Sequence, residues 1–199
     1  MSDKQGKRPS TEEAEAAVRV LLSWMGEDAQ RKGLQRTPAR VLSSYGDWFA
    51  GYNEDPAAIL GSSFPDAANY KEMVALVDID FESHCEHHMA PFIGKAHVAY
   101  MPDKRVVGIS KLVRVVNAYS KRLQVQEKLT QQIAQCINDV LKPKGVAVIM
   151  EAQHQCMTTR GVYKKNVKMV SSAMLGCFSD DDRSRAEFLS MIRNTQAAR

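Results

Sequence analysis

Val77-Asp78-Ile79-Asp80-Phe81-Glu82 alternates apolar and acidic residues, and here the periodicity of the chain changes. Period two predicts a half-buried strand with Val77, Ile79 and Phe81 turned to a core. After an interruption from His84 to Pro91, a second strand is expected over Ile93 to Tyr100, with a turn at Pro102-Asp103-Lys104. Val146 to Cys156 again has strand character, and Val167 to Leu175 is its expected hairpin partner.

The remaining segments carry helical periodicity. Ser10 and Glu13 have capping-box spacing ahead of Ala14, Ala17, Val18, Leu21, Leu22 and Met25, which predicts a helix from Thr11 to Met25. Thr37-Pro38 is a second start signal, followed by Val41, Leu42, Tyr45, Trp48, Phe49 and Tyr52. Gly61 to Asn69 reads as a loop. Ser110 is the expected cap of a helix bearing Leu112, Val115, Val116 and Tyr119. A longer helix follows, with Val125, Leu129, Ile133, Cys136, Ile137, Val140 and Leu141, and stops at Lys142-Pro143-Lys144-Gly145. Ser179 with Asp180, Asp181 and Asp182 is expected to cap a short final helix, where acidic groups suit the positive end. Hairpin strands with grouped helices predict an α+β fold with an antiparallel sheet. The expected organisation is a disordered tail over 1–9, a helical segment over 10–69 and the main α+β domain over 70–199.

The chain has 199 residues, 44% of them hydrophobic and 25% charged, as expected of one globular domain with a real core. No apolar run approaches the roughly 20 residues that cross a bilayer, so no membrane association is expected. Met1 to Pro9 is polar and unlike a secretory signal, which predicts a cytoplasmic location. A net charge of +4, spread along the chain, suits a small anionic ligand and argues against nucleic acid. Four cysteines in such a chain do not suggest a disulfide framework; Cys136 and Cys177 read as packing residues.

Cys85 and Cys156 have different company. His84-Cys85-Glu86-His87-His88 is the densest group of ligand-type residues, and one turn can aim Cys85 and His88 at one ion. His154 and Cys156 are two apart on the expected strand, so both are expected on one face. Two thiolates and an imidazole suit zinc, and three protein ligands leave a fourth position for water, as in catalytic sites. Spacing alone leaves open a structural site closed by His87 or His154.

The string Ser83-His84-Cys85-Glu86-His87-His88-Met89-Ala90-Pro91-Phe92 resembles the zinc motif of GTP cyclohydrolase I. Val107 to Arg114, Gln124 to Thr130 and Glu151 to Met157 through Arg160-Gly161-Val162 resemble its other motifs, in the family's order. The resemblance implies a hydrolase acting on a cyclic amidine C–N bond, which opens the imidazole ring of GTP, releases formate and yields 7,8-dihydroneopterin triphosphate. It implies the tunnelling fold, with antiparallel sheets joining into a barrel across subunits. A homodecamer of two pentamers and a place in tetrahydrofolate or other pterin synthesis are further implications.

Carried over by residue, the resemblance makes Cys85, His88 and Cys156 the ligands of Zn2+. It makes His154, His87 and Ser110 catalytic, the two histidines by moving protons. Glu127, assisted by Gln126, is expected to bind the guanine edge. Lys111, Arg114, Arg160 and Arg40 are expected to bind triphosphate, Arg40 from a neighbouring subunit. A zinc nucleobase deaminase is disfavoured because P-C-x-x-C does not occur. A metal-free relative using a cysteine nucleophile is disfavoured by the presence of both cysteines and His88. The non-enzymatic alternative is a zinc-stabilised binding module.

Overall fold

The computed structural model describes residues 8–61, 70 and 72–197, so residues 1–7 of the expected tail and 62–69 of the expected loop lie outside it. The chain forms two compact units, divided between Phe49 and Ala50.

In the N-terminal unit, α1 spans Thr11–Trp24. Its capping box is formed: Ser10 N–H donates to Glu13 Oε2 at 2.8 Å, and Glu13 N–H donates to Ser10 Oγ at 3.2 Å. The second helix, α2 (Thr37–Trp48), begins with a buried Pro38 where a missing N–H costs nothing. Tyr45 packs on Trp48 and Phe49, with ring centroids 5.9 and 5.3 Å apart. Tyr52 does not extend this helix; it lies in a 3-10 turn, Ala50–Asn53.

The larger unit continues with α3 (Pro56–Gly61), which periodicity had not suggested because it is so short. The acidic-apolar stretch lies within β1 (Val74–Cys85), and β2 (Pro91–Met101) returns antiparallel to it. Next come α4 (Ile109–Ser120), a two-residue β3 (Leu123–Gln124) and α5 (Gln126–Leu141). After β4 (Gly145–His154) come a single turn α6 (Gln155–Thr158), β5 (Met169–Gly176), α7 (Cys177–Asp180) and α8 (Asp182–Ala197). The strands form one sheet in the order β3-β1-β2-β4-β5. All pairs are antiparallel except β1 with β3, so the sheet is mixed and the fold is α+β.

Several expected details are corrected. The cap of α4 is Gly108 and makes no side-chain cap bond, so Ser110 lies inside the first turn. The final helix is long, and Asp181 rather than Ser179 caps it, receiving Arg183 N–H at 3.1 Å and Ser184 Oγ–H at 3.0 Å. The strand containing His154 ends there: the chain turns helical at Gln155, so Cys156 sits on α6 and not beside His154 on one strand face.

Both faces of the sheet are covered. On one, Phe81, Phe92, Val98, Tyr100 and Met150 pack with Leu112, Val116, Leu129, Ile133 and Ile137 of α4 and α5. On the other, Ala99, Ala147 and Ile149 pack with Phe178, Phe188 and Ile192. Gly94 holds β2 close to β4, because a Cβ there would lie 1.8 Å from Glu151 O. That close pairing places Phe92 opposite His154.

Candidate metal and catalytic site

Cys85 is the last residue of β1, and the backbone curls directly after it. Cys85 N–H donates to Ala90 O at 2.8 Å, while the N–H groups of His88 and Met89 donate to Cys85 O at 3.3 and 2.8 Å. Glu86 N–H donates to Gln124 O of β3 at 3.0 Å, tying the turn to the sheet. The curl brings Cys85 Sγ within 3.9 Å of His88 Nδ1 and 3.5 Å of His87 Nδ1.

Cys156 arrives from α6 to complete the group. One ligand atom each from Cys85, His88 and Cys156 lies within 4.8 Å of the others. Burial pushes the Cys156 thiol up, and Cys85 beside it pushes the same way. Two adjacent sulfurs resist joint ionisation unless a cation shares them, and this S, N, S donor set suits a borderline-soft dication. The residues present therefore fit zinc. Arg160 Nη1 lies 3.3 Å from His88 Nε2, which places a guanidinium at the ligand cluster.

Two residues before Cys156, the His154 ring stacks on Phe92 with centroids 4.5 Å apart and planes 2° from parallel. Its Nε2 lies 2.8 Å from Oε1 of Gln126, the first residue of α5. Burial lowers the pKa of His154, and the Glu127 carboxylate opposes the shift. Gln126 is buried, and its amide nitrogen donates toward Met150 O, Met169 O and Ser171 Oγ at 3.0, 3.1 and 3.0 Å. Glu127, next to it, is exposed in the first turn of α5.

The structure thus brings together Cys85, His87, His88, Cys156 and Arg160 in one group, and His154 with Gln126 in another, with Glu127 close enough to act on His154 electrostatically. Ser110, Lys111 and Arg114 form a second group on the opening turns of α4, with Ser110 and Arg114 exposed and Lys111 half-buried. Arg40 is exposed on α2 of the N-terminal unit. Phe92 packs on His154, and Thr130 and Ser171 bond around Gln126; Phe92 and Thr130 lie within the motifs quoted above but, like Ser171, have no ligand or acid–base chemistry that singles them out. Their roles come from long-range pairing, which periodicity does not report.

Among the described residues, no helix is long and apolar enough to cross a membrane. Residues 14–193 match the GTP cyclohydrolase I family. A GTP cyclohydrolase 1 of Maricaulis maris is 52% identical over 93% of this chain and 90% of its own length. Proteins of the same name from Hyphomonas neptunium and Bartonella henselae are 51% and 49% identical, each over 95% of this chain and 92% of their own. The solved apo structure of an archaeosine synthase QueF-Like protein covers 52% of this chain at 21% identity and a TM-score of 0.44, a likeness too slight to bear on function.

Proposed function

The chain belongs to the GTP cyclohydrolase I family, and from that premise we propose that it is a zinc enzyme which opens the imidazole ring of GTP. It is an enzyme, a GTP cyclohydrolase, by its relatives. The proposed products are formate and 7,8-dihydroneopterin triphosphate. The observation that carries the zinc reading is the convergence of Cys85, His88 and Cys156 from two distant segments.

When bound there, zinc supplies Lewis acidity and activates water at neutral pH. The chain's own residues do the rest. Glu127, exposed in the first turn of α5 and close enough to act on His154, offers two carboxylate oxygens to the paired N–H donors of the guanine edge. His154 carries the proton exchanged with the guanine ring nitrogen, and His87, beside Cys85, is a second proton carrier. Lys111 and Arg114, one helical turn apart at the start of α4, hold triphosphate together with free N–H groups of that helix end. Arg160 adds charge from the ligand side and Arg40 from a neighbouring subunit. Ser110 serves the later ribose rearrangement.

The proposed assembly is a homodecamer of two pentamers in the tunnelling fold. In support, β5 ends the strand order, and among the described residues no strand pairs with its outer edge. A cytoplasmic location and a role in supplying pterins such as tetrahydrofolate complete the proposal. A purely structural zinc site closes with four protein ligands, whereas the donor group among the described residues has three. Incubation with GTP, followed by detection of formate and of a fluorescent pterin after oxidation, tests the reading. Absence of both products from zinc-loaded, assembled protein refutes it.

A further inference from the structure

We infer that Gln126 is a positioning residue: it works through His154 rather than on guanine, and with Thr130 and Ser171 it fixes the ring's orientation and which nitrogen of neutral His154 carries the hydrogen. This inference rests on the GTP reading above for its kinetic consequence, but its structural content stands apart from it.

Partners that can only accept fix the orientation of the Gln126 amide. Met150 O and Met169 O are backbone carbonyls and only accept, so the Gln126 group 3.0 and 3.1 Å from them is the NH2. A flipped amide would set its oxygen against both carbonyls and is excluded. Gln126 Oε1 therefore faces His154 Nε2 at 2.8 Å, and an amide oxygen only accepts. His154 Nε2 must then carry a hydrogen.

The amide is itself held by an ordered ring of hydroxyls. Thr130 Oγ1–H donates to Gln126 O at 2.8 Å, again a carbonyl that only accepts. With its hydrogen committed, Thr130 Oγ1 accepts from Ser171 Oγ–H at 2.7 Å. Ser171 Oγ in turn has its lone pairs left for Gln126 Nε2, 3.0 Å away. Gln126 and Thr130 are 1% exposed, so water does not replace these partners. The parallel stack on Phe92 fixes the ring plane as the amide fixes its edge.

In neutral His154 the hydrogen sits on Nε2 and Nδ1 is the bare nitrogen. Nδ1 is therefore the nitrogen left open to a proton partner. A guanine contact would leave the Gln126 amide oriented by substrate. Here it is oriented before substrate arrives.

The test is 15N NMR of histidine-labelled, zinc-loaded assembled protein in the solid state at mildly alkaline pH, with His154 assigned by loss of its signals in His154→Asn. The expected wild-type pattern is a protonated Nε2 and an unprotonated Nδ1. Gln126→Leu should yield mixed tautomers and a kcat lower by about tenfold or more, with KM for GTP changed by less than about threefold and zinc per chain unaltered. Ser171→Ala, a milder change at a distance from His154, should shift the tautomer ratio in the same direction and lower kcat by about threefold. A wild-type Nδ1–H pattern overturns the inference. So does Gln126→Leu with an unaltered tautomer and a KM raised about tenfold, the mark of a lost guanine contact. Should Gln126→Leu fail to fold, Ser171→Ala with wild-type tautomer and kcat overturns it alone. The tautomer is read without GTP, so failure of the GTP reading is seen separately, as absent formate from wild-type protein.

Discussion

Replacing Phe92 with leucine removes two ring contacts from one fully buried position. Phe92 stacks on His154 with centroids 4.5 Å apart and meets Phe81 edge-on at 6.0 Å and 76°. Each such pair contributes about 0.5–1.5 kcal/mol beyond burial, so losing both costs about 1–3 kcal/mol. Leucine is smaller, and at a position with 0% exposure the resulting void adds about 1 kcal/mol. A total near 3 kcal/mol corresponds to a fall in Tm of about 6–12 °C for a chain of this size. Thermal unfolding at matched protein concentration measures it, since assembly makes Tm concentration-dependent. The same change frees the His154 ring to tilt while leaving Cys85, His88 and Cys156 in place. The kcat for GTP should therefore fall about tenfold while zinc per chain is unchanged. A variant within about 2 °C and about twofold of wild type refutes the reasoning that this stack orders the site.

Three further outcomes follow from individual residues. In Gly94→Ala the new Cβ would lie 1.8 Å from Glu151 O and 2.7 Å from Ala152 Cα, so β2 and β4 must separate at a cost of about 3 kcal/mol or more. Denaturant midpoints as high as wild type would contradict the register described. Burial lowers the pKa of His97, and Lys95 adds to the lowering while Asp78 and Glu151 oppose it. The unfolded chain then binds the proton first, so the stability held above about pH 6.5 is lost as pH falls below it. His97→Asn keeps an acceptor for Asp78 N–H, which now reaches His97 Nδ1 at 3.1 Å, and should flatten that loss between pH values of about 7.5 and 5.5. An unaltered acid slope excludes His97 as its source. For guanine recognition, Glu127→Ala, at an exposed position, should raise KM for GTP about tenfold or more with Tm nearly unchanged; wild-type kinetics would remove Glu127 from the site.

The sheet was legible in the sequence wherever one face is buried and the other is not, as in Val77 to Glu82. The long helices were legible from the apolar stripes of α4 and α5. What escaped has physical causes. Cys156 follows a strand whose alternation runs on in sequence, but the backbone turns helical at Gln155, where Thr158 and Thr159 hydroxyls bond back to Gln155. Ser110 has the side chain of a cap, yet Gly108 takes the extended cap conformation. The short β3 carries no periodic signal at all; it exists through its parallel pairing with His84 and Cys85. In the candidate site, Cys85 and His88 were readable from local spacing. The pairing of His154 with Gln126 was not, since it joins residues 28 apart in sequence. Ser171 and Thr130 are farther apart still, and only the packing of β5 on α5 brings them together.

The central claim is that Cys85, His88 and Cys156 hold one zinc ion that GTP ring opening requires. Metal content per chain, measured by elemental analysis on wild type and Cys156→Ser with formate release from GTP on the same samples, tests it most directly. The account predicts about one zinc per chain with formate release in wild type, and loss of both in Cys156→Ser, whose half-buried position makes the exchange of sulfur for oxygen structurally mild. A Cys156→Ser protein that releases formate at the wild-type rate, or an active wild type without zinc, contradicts it.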